Sequence, residues 1–407
     1  MANPALYPLI RYMQSISLAI SLKKTILFSI IFGTIMLFSY PILSTDIYSY
    51  IFSERVGVVH HANIWQVKPS VFTADPFSAF ADWKETISVY GGLNYLLYLL
   101  PSAIGNNHLI PLLFLYKLLP SLFTLGTIYL LYVLLLENKQ NNLSKKIRLV
   151  LWNPLFILEI FGSGHNDGIM IFFTLLSYYF YRQKRWFWVG ISLTLAIQIK
   201  LIPIVLLFFF IAALLRKKLI LASFKILFTF ILLNSIFFIF MRVSVFDFLQ
   251  RVFYNGSVYW QSLPNLVRYF LPKGAIFITI GFLLWLTRFI ALLKKKENPL
   301  TSYATVLLVY LLFVSTAYWN WYVLWILVLV PLFENKKLMI AIILFSFTSL
   351  LAYPLLWISL RFHYQSLIWP FITYFFIFFV PVATYLFDKY YPRITEKIMK
   401  KLDIIDL

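Results

Sequence analysis

The 407-residue chain contains no cysteine. That excludes a disulfide, a thiol nucleophile and a Cys-ligated metal, and it leaves the redox compartment open. Charge is scarce as well, with 12% of residues Asp, Glu, Lys or Arg against roughly 25% in soluble domains. Acidic residues are the scarcer sign, 15 against 35 basic. No Asp-x-Asp motif of the nucleotide-sugar kind and no compact His/carboxylate ligand set occurs in the sequence, so neither a metal nor any other cofactor is expected. The apolar runs do not alternate, which excludes a membrane β-barrel. The "GHND" stretch has no counterpart in the second half, which argues against the inverted repeats of many transporters.

What remains is 61% hydrophobic and 20% aromatic, the balance of an all-α, polytopic transmembrane helical bundle. The formal charge of +20 raises the question of nucleic acid, but the basic residues do not gather on one soluble face. Short clusters instead punctuate the apolar runs at 23–24, 139–148, 182–185, 216–218, 294–296 and 336–337. Placing them in the cytoplasm by the positive-inside rule puts both chain ends inside. The expected spans are 25–43, 109–137, 149–162, 168–181, 186–200, 201–215, 219–241, 274–293, 300–316, 320–333, 338–358 and 366–387, about twelve in all, several short enough to be tilted or re-entrant. The first apolar run lacks a small-residue cleavage site and reads as an uncleaved anchor. Residues 1–407 are expected to form one integral-membrane domain, with an external loop at 44–108 and an amphipathic cytoplasmic tail at 388–407.

On this map about 25 of the 35 Lys and Arg residues are cytoplasmic topology determinants. Arg55, Lys68, Lys84, Lys117, Lys200, Arg242, Arg251, Arg268, Lys273 and Arg361 lie on or near the outside, where the rule disfavours them, and they point to an anionic ligand there. In the first external loop Ser44 or Thr45 can cap a helix starting at Asp46, which sets Asp46, Tyr50 and Glu54 on one face. The run beginning at Tyr90-Gly91-Gly92 is too short to span and is expected to lie along the outer interface. Aromatic segments around Tyr259 and Trp260, at Trp319 and Trp321, and near Tyr364 read either as an interfacial belt or as a groove for a lipid chain or sugar.

The most conspicuous polar group is His165-Asn166-Asp167, set between the apolar runs "RLVLWNPLFILEIF" and "IMIFFTLLSYYFY". Gly162, Ser163 and Gly164 predict a turn, after which Asn166 or Asp167 can cap the next helix. A helix start also holds anions and polar substrates well, and His165 is harder to explain as a cap. Lys200 interrupts a second apolar stretch just before Pro203. It either snorkels outward or supplies charge for a phosphate. Glu159 is read as buried in its helix, structural or substrate-facing. His60 and His61 diverge and make a poor metal pair.

The order "TDIYSYIFSERV", then "DPF", a Trp and "VYGG", then "NPLFILEIFGSGHNDGIMIF" and "AIQIKLIPIVLLF", then "YWNWYVLW" resembles the GT-C superfamily of integral-membrane glycosyltransferases. It looks most like the polyprenyl-phosphate-mannose-dependent mannosyltransferases, including the mycobacterial-type alpha-mannopyranosyltransferases and, more distantly, the mannosyltransferase of GPI-anchor synthesis. The likeness covers roughly residues 40–215 and thins toward 330. It implies a carboxylate in the first external loop near the acceptor, matching Asp46, a polar turn matching His165, Asn166 and Asp167, and a basic residue matching Lys200. Related sequences often carry Tyr-Gly-Pro where this chain has Tyr90-Gly91-Gly92, and Asn-Pro-Tyr where it has Asn63-Ile64-Trp65.

The expected reaction transfers a hexose, most simply mannose, from a polyprenyl-phosphate donor to a glycan or glycolipid outside a bacterial plasma membrane, with inversion implied by the resemblance. Asp46 is the expected base or acceptor-orienting group, with Asp167 the second candidate. Lys200, assisted by Arg251, Arg268 or Arg361, would stabilise the departing phosphate, while His165 and Asn166 would position the donor. Tyr50, Tyr90, Trp319 and Trp321 would line the acceptor groove. The alternatives are a lipid or sugar transporter or flippase, and a GT-C enzyme using another sugar.

Overall fold

The computed structural model describes residues 20–41, 43–140, 142–254, 262–292, 298–361, 368–379 and 381–383, and no strand occurs among them. The tail expected at 388–407 lies outside the described residues, as do Tyr259, Trp260 and Tyr364. The helices run in order α1 Leu22–Phe38, α2 Asp46–Val58, α3 Gly92–Gly105, α4 Leu109–Glu137, α5 Leu143–Leu151, α6 Asp167–Arg182, α7 Trp186–Ile197, α8 Ile204–Arg216, α9 Ile220–Met241 and α10 Val245–Tyr254. They continue as α11 Leu263–Phe270, α12 Gly274–Leu292, α13 Pro299–Val309, α14 Lys336–Leu350, α15 Ala352–Arg361 and α16 Ile368–Tyr374. The chain divides into two compact units, one formed by 31–130 and 158–256, the other by 1–30, 131–157 and 257–407.

Four helices among the described residues are long and apolar enough to cross a bilayer: Leu109–Glu137, Ile220–Met241, Gly274–Leu292 and Lys336–Leu355. Others that the hydropathy pattern predicts as spans are shorter. Trp186–Ile197 has 12 residues and Ile204–Arg216 has 13, and 320–333 breaks into short helical turns. The expected span at 149–162 is also interrupted. Helix α5 stops at Leu151, Asn153 caps a new turn by accepting from the Leu155 amide at 3.0 Å, and Pro154 starts a segment that widens to a π-helix over Ile157–Gly162.

Burial is inverted relative to a soluble protein. In α1, Leu27, Ile31, Ile35 and Phe38 are exposed while Thr25 and Ser29 are buried. In α3, Leu96, Leu100 and Ile104 form an exposed stripe, and Asn94, Tyr98 and Ser102 turn inward. Large exposed apolar surfaces of this kind belong against lipid. The chain is a membrane protein, and α3 has the amphipathic pattern expected of the run after Tyr90.

In the first unit the loop after α2 is pinned to that helix by a buried ion pair. Arg55 contacts Asp75 at 2.9 Å, with both side chains essentially inaccessible, and its guanidinium lies 4.6 Å from the Phe77 ring centroid. Asp75 also accepts from the Phe77 amide at 2.9 Å and from His60 Nε2 at 2.8 Å. Burial pushes the Asp75 carboxyl upward, but the donors from Arg55, Phe77 and His60 outweigh it and hold the group below the ordinary carboxylate range. His60 therefore packs into this brace, stacked on Phe72.

Candidate functional site

Helix α2 begins at the predicted residue. The Asp46 amide donates to Ser44 Oγ at 3.3 Å, whereas the Thr45 hydroxyl turns away to Asp82. The four-residue spacing then brings the Tyr50 hydroxyl back onto Asp46 Oδ2 at 3.2 Å. The other carboxylate oxygen accepts from Trp83 Nε1 at 3.0 Å. Asp46 is thus held at both oxygens while remaining partly accessible, and the indole that holds it comes from a loop residue no helical periodicity singles out.

Tyr50 extends the chain of contacts inward. Its hydroxyl lies 3.1 Å from His165 Nδ1, and His165 Nε2 lies 3.2 Å from Glu159 Oε2. The order Asp46, Tyr50, His165, Glu159 is continuous and its inner members are wholly buried. Glu159 reaches His165 because it sits on the π-turn, a device often found at functional positions. Gly164 makes the following reversal with φ +72°, and a Cβ there would meet the Lys117 side chain at 2.8 Å. Both the left-handed backbone and the close approach require glycine.

Asn166 occupies the N-cap position of α6, but its side chain does not cap the helix. The predicted capping by Asn166 is corrected, because its amide is engaged elsewhere. Asn166 Nδ2 donates to Asn94 Oδ1 at 2.9 Å, and Asp167 Oδ2 accepts from Lys200 Nζ at 2.6 Å. Lys200 sits in the break between α7 and α8, 13% exposed at its side chain, with Nζ 6.0 Å from the Tyr90 ring centroid. Tyr90 in turn meets Tyr50 edge to face at 5.5 Å. Asp46, Tyr50, Tyr90, His165, Asn166, Asp167 and Lys200 are therefore brought together within one unit.

A polar ladder fixes the Lys200 region, and sequence patterning does not reveal it. Asn234 donates to Thr194 Oγ1 at 3.0 Å and accepts from Gln198 Nε2 at 3.0 Å. Gln198 Oε1 accepts from the Gly92 amide at 2.8 Å. A proline at position 92 could not make that bond, which gives a physical reason for Gly-Gly where related sequences have Gly-Pro.

Several of the cations expected outside serve the protein itself. Arg251 donates to the Trp65 carbonyl, and Trp65 Nε1 donates to the Tyr90 carbonyl at 2.7 Å, so Arg251 braces the loop carrying Tyr90. Lys117 closes the end of α1 by donating to the Met36 and Ser39 carbonyls at 2.6 and 2.7 Å. Lys84 donates to the Ser78 carbonyl at 3.1 Å. With Arg55 in its ion pair, these groups do not require an anionic ligand to explain them. Arg268, Arg361, Trp319 and Trp321 belong to the other unit. There Arg268 is exposed, the Trp319 and Trp321 rings stack at 4.9 Å, and the side chain of Arg361 is outside those described.

No curated protein and no solved structure matches the chain. Residues 7–216 do match a protein family, described as alpha-(1->6)-mannopyranosyltransferase, N-terminal domain. That segment contains every member of the cluster from Asp46 to Lys200 and spans just over half of the sequence. The chain belongs to the alpha-(1->6)-mannopyranosyltransferase family.

Proposed function

We propose that this mannosyltransferase draws mannose from a polyprenyl-phosphate carrier and passes it to a hydroxyl of a glycan or glycolipid on the extracytoplasmic face, in a GT-C arrangement of about twelve crossings. The single domain carries its site on the external loop 44–108 and the turns that pack against it. The observation that carries the reading is Asp46, a partly accessible carboxylate held at one oxygen by Trp83 and at the other by Tyr50. Fixing both oxygens orients the remaining lone pairs toward an incoming hydroxyl.

In the proposed step Asp46 takes the proton of the acceptor hydroxyl. The acceptor oxygen bonds to the anomeric carbon, whose bond to the phosphate oxygen breaks, and the electron pair leaves on the polyprenyl phosphate. Displacement in line inverts the anomeric centre. Lys200 supplies charge for the leaving phosphate, and Asp167 engages one of the three donors of its ammonium. His165 and Asn166 set the turn that presents Asp167, while Tyr90 offers aromatic surface to the sugar and the buried Tyr50 supports it from behind. Arg251 acts through the Trp65 carbonyl on the loop that carries Tyr90. No step calls for a metal.

Purified protein in detergent, given polyprenyl-phosphate mannose and a panel of glycan and glycolipid acceptors in chelator, is expected to form a new glycosidic bond. GDP-mannose in its place is expected to give none. Use of the nucleotide sugar alone would overturn the donor assignment, and movement of labelled lipid across vesicles without transfer would overturn the reaction.

A further inference from the structure

Glu54 takes no part in the chemistry just described, yet it is a buried charge-bearing group beside it with one carboxyl oxygen lacking a hydrogen-bond partner. It lies two turns after Asp46 on α2 and is 2% exposed. Its Oε1 accepts from Asn94 Nδ2 at 3.0 Å, while Oε2 has no hydrogen-bond partner. Asn94, 1% exposed, carries the contact onward, because its own Oδ1 accepts from Asn166 Nδ2 at 2.9 Å. Three buried side chains thus connect α2, α3 and the turn that starts α6.

The groups facing Glu54 do not neutralise a charge on it. Tyr95 and Tyr98 on α3 and Tyr116 on α4 lie within its electrostatic reach, and Asp167 acts on the same Tyr98. The neighbouring Arg55 is committed to Asp75, with His60 on that same carboxylate. A buried carboxylate without a cation is costly. Burial pushes the Glu54 carboxyl up to about 8, against the opposing pull of the Asn94 hydrogen bond.

We propose that Glu54 is a positioning residue for sugar transfer: as the un-ionised acid it holds Asn94, Asn94 holds Asn166, and the turn so fixed sets where Asp167 and Lys200 meet the donor phosphate. The proposal rests on the reading of Asp167 and Lys200 as the phosphate end of the site. Un-ionised Glu54 leaves that end with the positive charge of Lys200 and the negative charge of Asp167. Ionised Glu54 adds an uncompensated negative charge in a low-dielectric region and repels the anionic donor. Donor use therefore falls at alkaline pH.

The test is the pH dependence, from 6 to 9.5, of kcat and of the KM for polyprenyl-phosphate mannose in wild type, Glu54→Gln and Glu54→Leu. Wild type is expected to show a donor KM that rises above about pH 8, approaching tenfold per unit. Glu54→Gln keeps an acceptor for Asn94 but cannot ionise. It is expected to lose the alkaline rise while retaining kcat/KM within about tenfold of wild type at pH 7. Glu54→Leu leaves Asn94 without its acceptor and is expected to lower kcat/KM about 100-fold at pH 7, the usual scale for a misplaced site, and to show no alkaline rise in donor KM. An alkaline rise persisting unchanged in Glu54→Gln would overturn the proposal, and that variant decides the matter even if Glu54→Leu does not fold. Lys200→Ala is measured alongside. An unchanged donor KM in Lys200→Ala would contradict the phosphate reading itself, whatever Glu54→Gln does.

Discussion

At the scale of single residues, the spacing of Asp46 and Tyr50 is enough to predict their contact, since side chains four apart meet on a helix. Tyr50 then does two things at once, holding Asp46 and touching His165. Tyr50→Phe removes the hydroxyl but keeps the ring against Tyr90 and His165. It is expected to lower kcat between about tenfold and 100-fold with little change in thermal midpoint, measured by initial rates and by unfolding in detergent. Wild-type kcat in that variant would remove Tyr50 from the positioning of Asp46. Glu54 also makes a stability prediction. Its folded pKa of about 8 lies above the ordinary 4.5, so between those values the folded chain keeps a proton the unfolded chain has lost, and stability falls as pH rises. The thermal midpoint of Glu54→Gln relative to wild type is expected to climb from about pH 4.5 to about pH 8 and then level off. A difference independent of pH would show that Glu54 is ionised in the folded protein.

At the scale of elements, apolar periodicity predicts that a helix follows Tyr90, that Pro203 ends one helix and precedes another, and that a turn lies at Gly162–Gly164. It does not predict the π-turn at Ile157–Gly162, which sets Glu159 beside His165 across a reversal. Nor does it reveal the ladder Thr194, Asn234, Gln198 and Gly92, in which residues far apart in sequence satisfy one another inside an apolar packing. A lone Gln or Asn in a hydrophobic run carries no sign of its partner. The partners of the cations are equally hidden, because Arg55, Lys117 and Arg251 look unpaired until the fold brings in their carbonyl and carboxylate partners. The ladder is tested by Gly92→Pro. The substitution removes the amide that Gln198 accepts and is expected to destabilise the protein by about 1–3 kcal/mol, read as a lowered unfolding midpoint. Gly92→Pro in a Gln198→Leu background is expected to cost less than in wild type. Equal costs in the two backgrounds would show that the bond is not what position 92 contributes.

At the scale of the whole molecule, composition is sufficient for a helical membrane protein, and the exposed stripes of α1 and α3 agree with it. The number of crossings is less legible. Runs of 12 or 13 residues such as α7 and α8 are shorter than the roughly 20 needed to span unaided, and hydropathy does not distinguish a short span from a half-span. The proposed orientation rests on the basic clusters. With cysteines introduced singly into this cysteine-free chain, Thr73→Cys is expected to react with an impermeant thiol reagent in intact cells, and Gln183→Cys only after lysis. The reverse pattern would turn the topology over and put Asp46 on the cytoplasmic side. The most direct test of the account is Asp46→Asn, assayed at saturating polyprenyl-phosphate mannose with donor binding measured on the same preparation. The account predicts donor affinity close to wild type and a kcat lower by about 100- to 10,000-fold, the usual contribution of a general base. Turnover near wild type, with binding intact, would contradict the assignment of Asp46 as the base of mannosyl transfer.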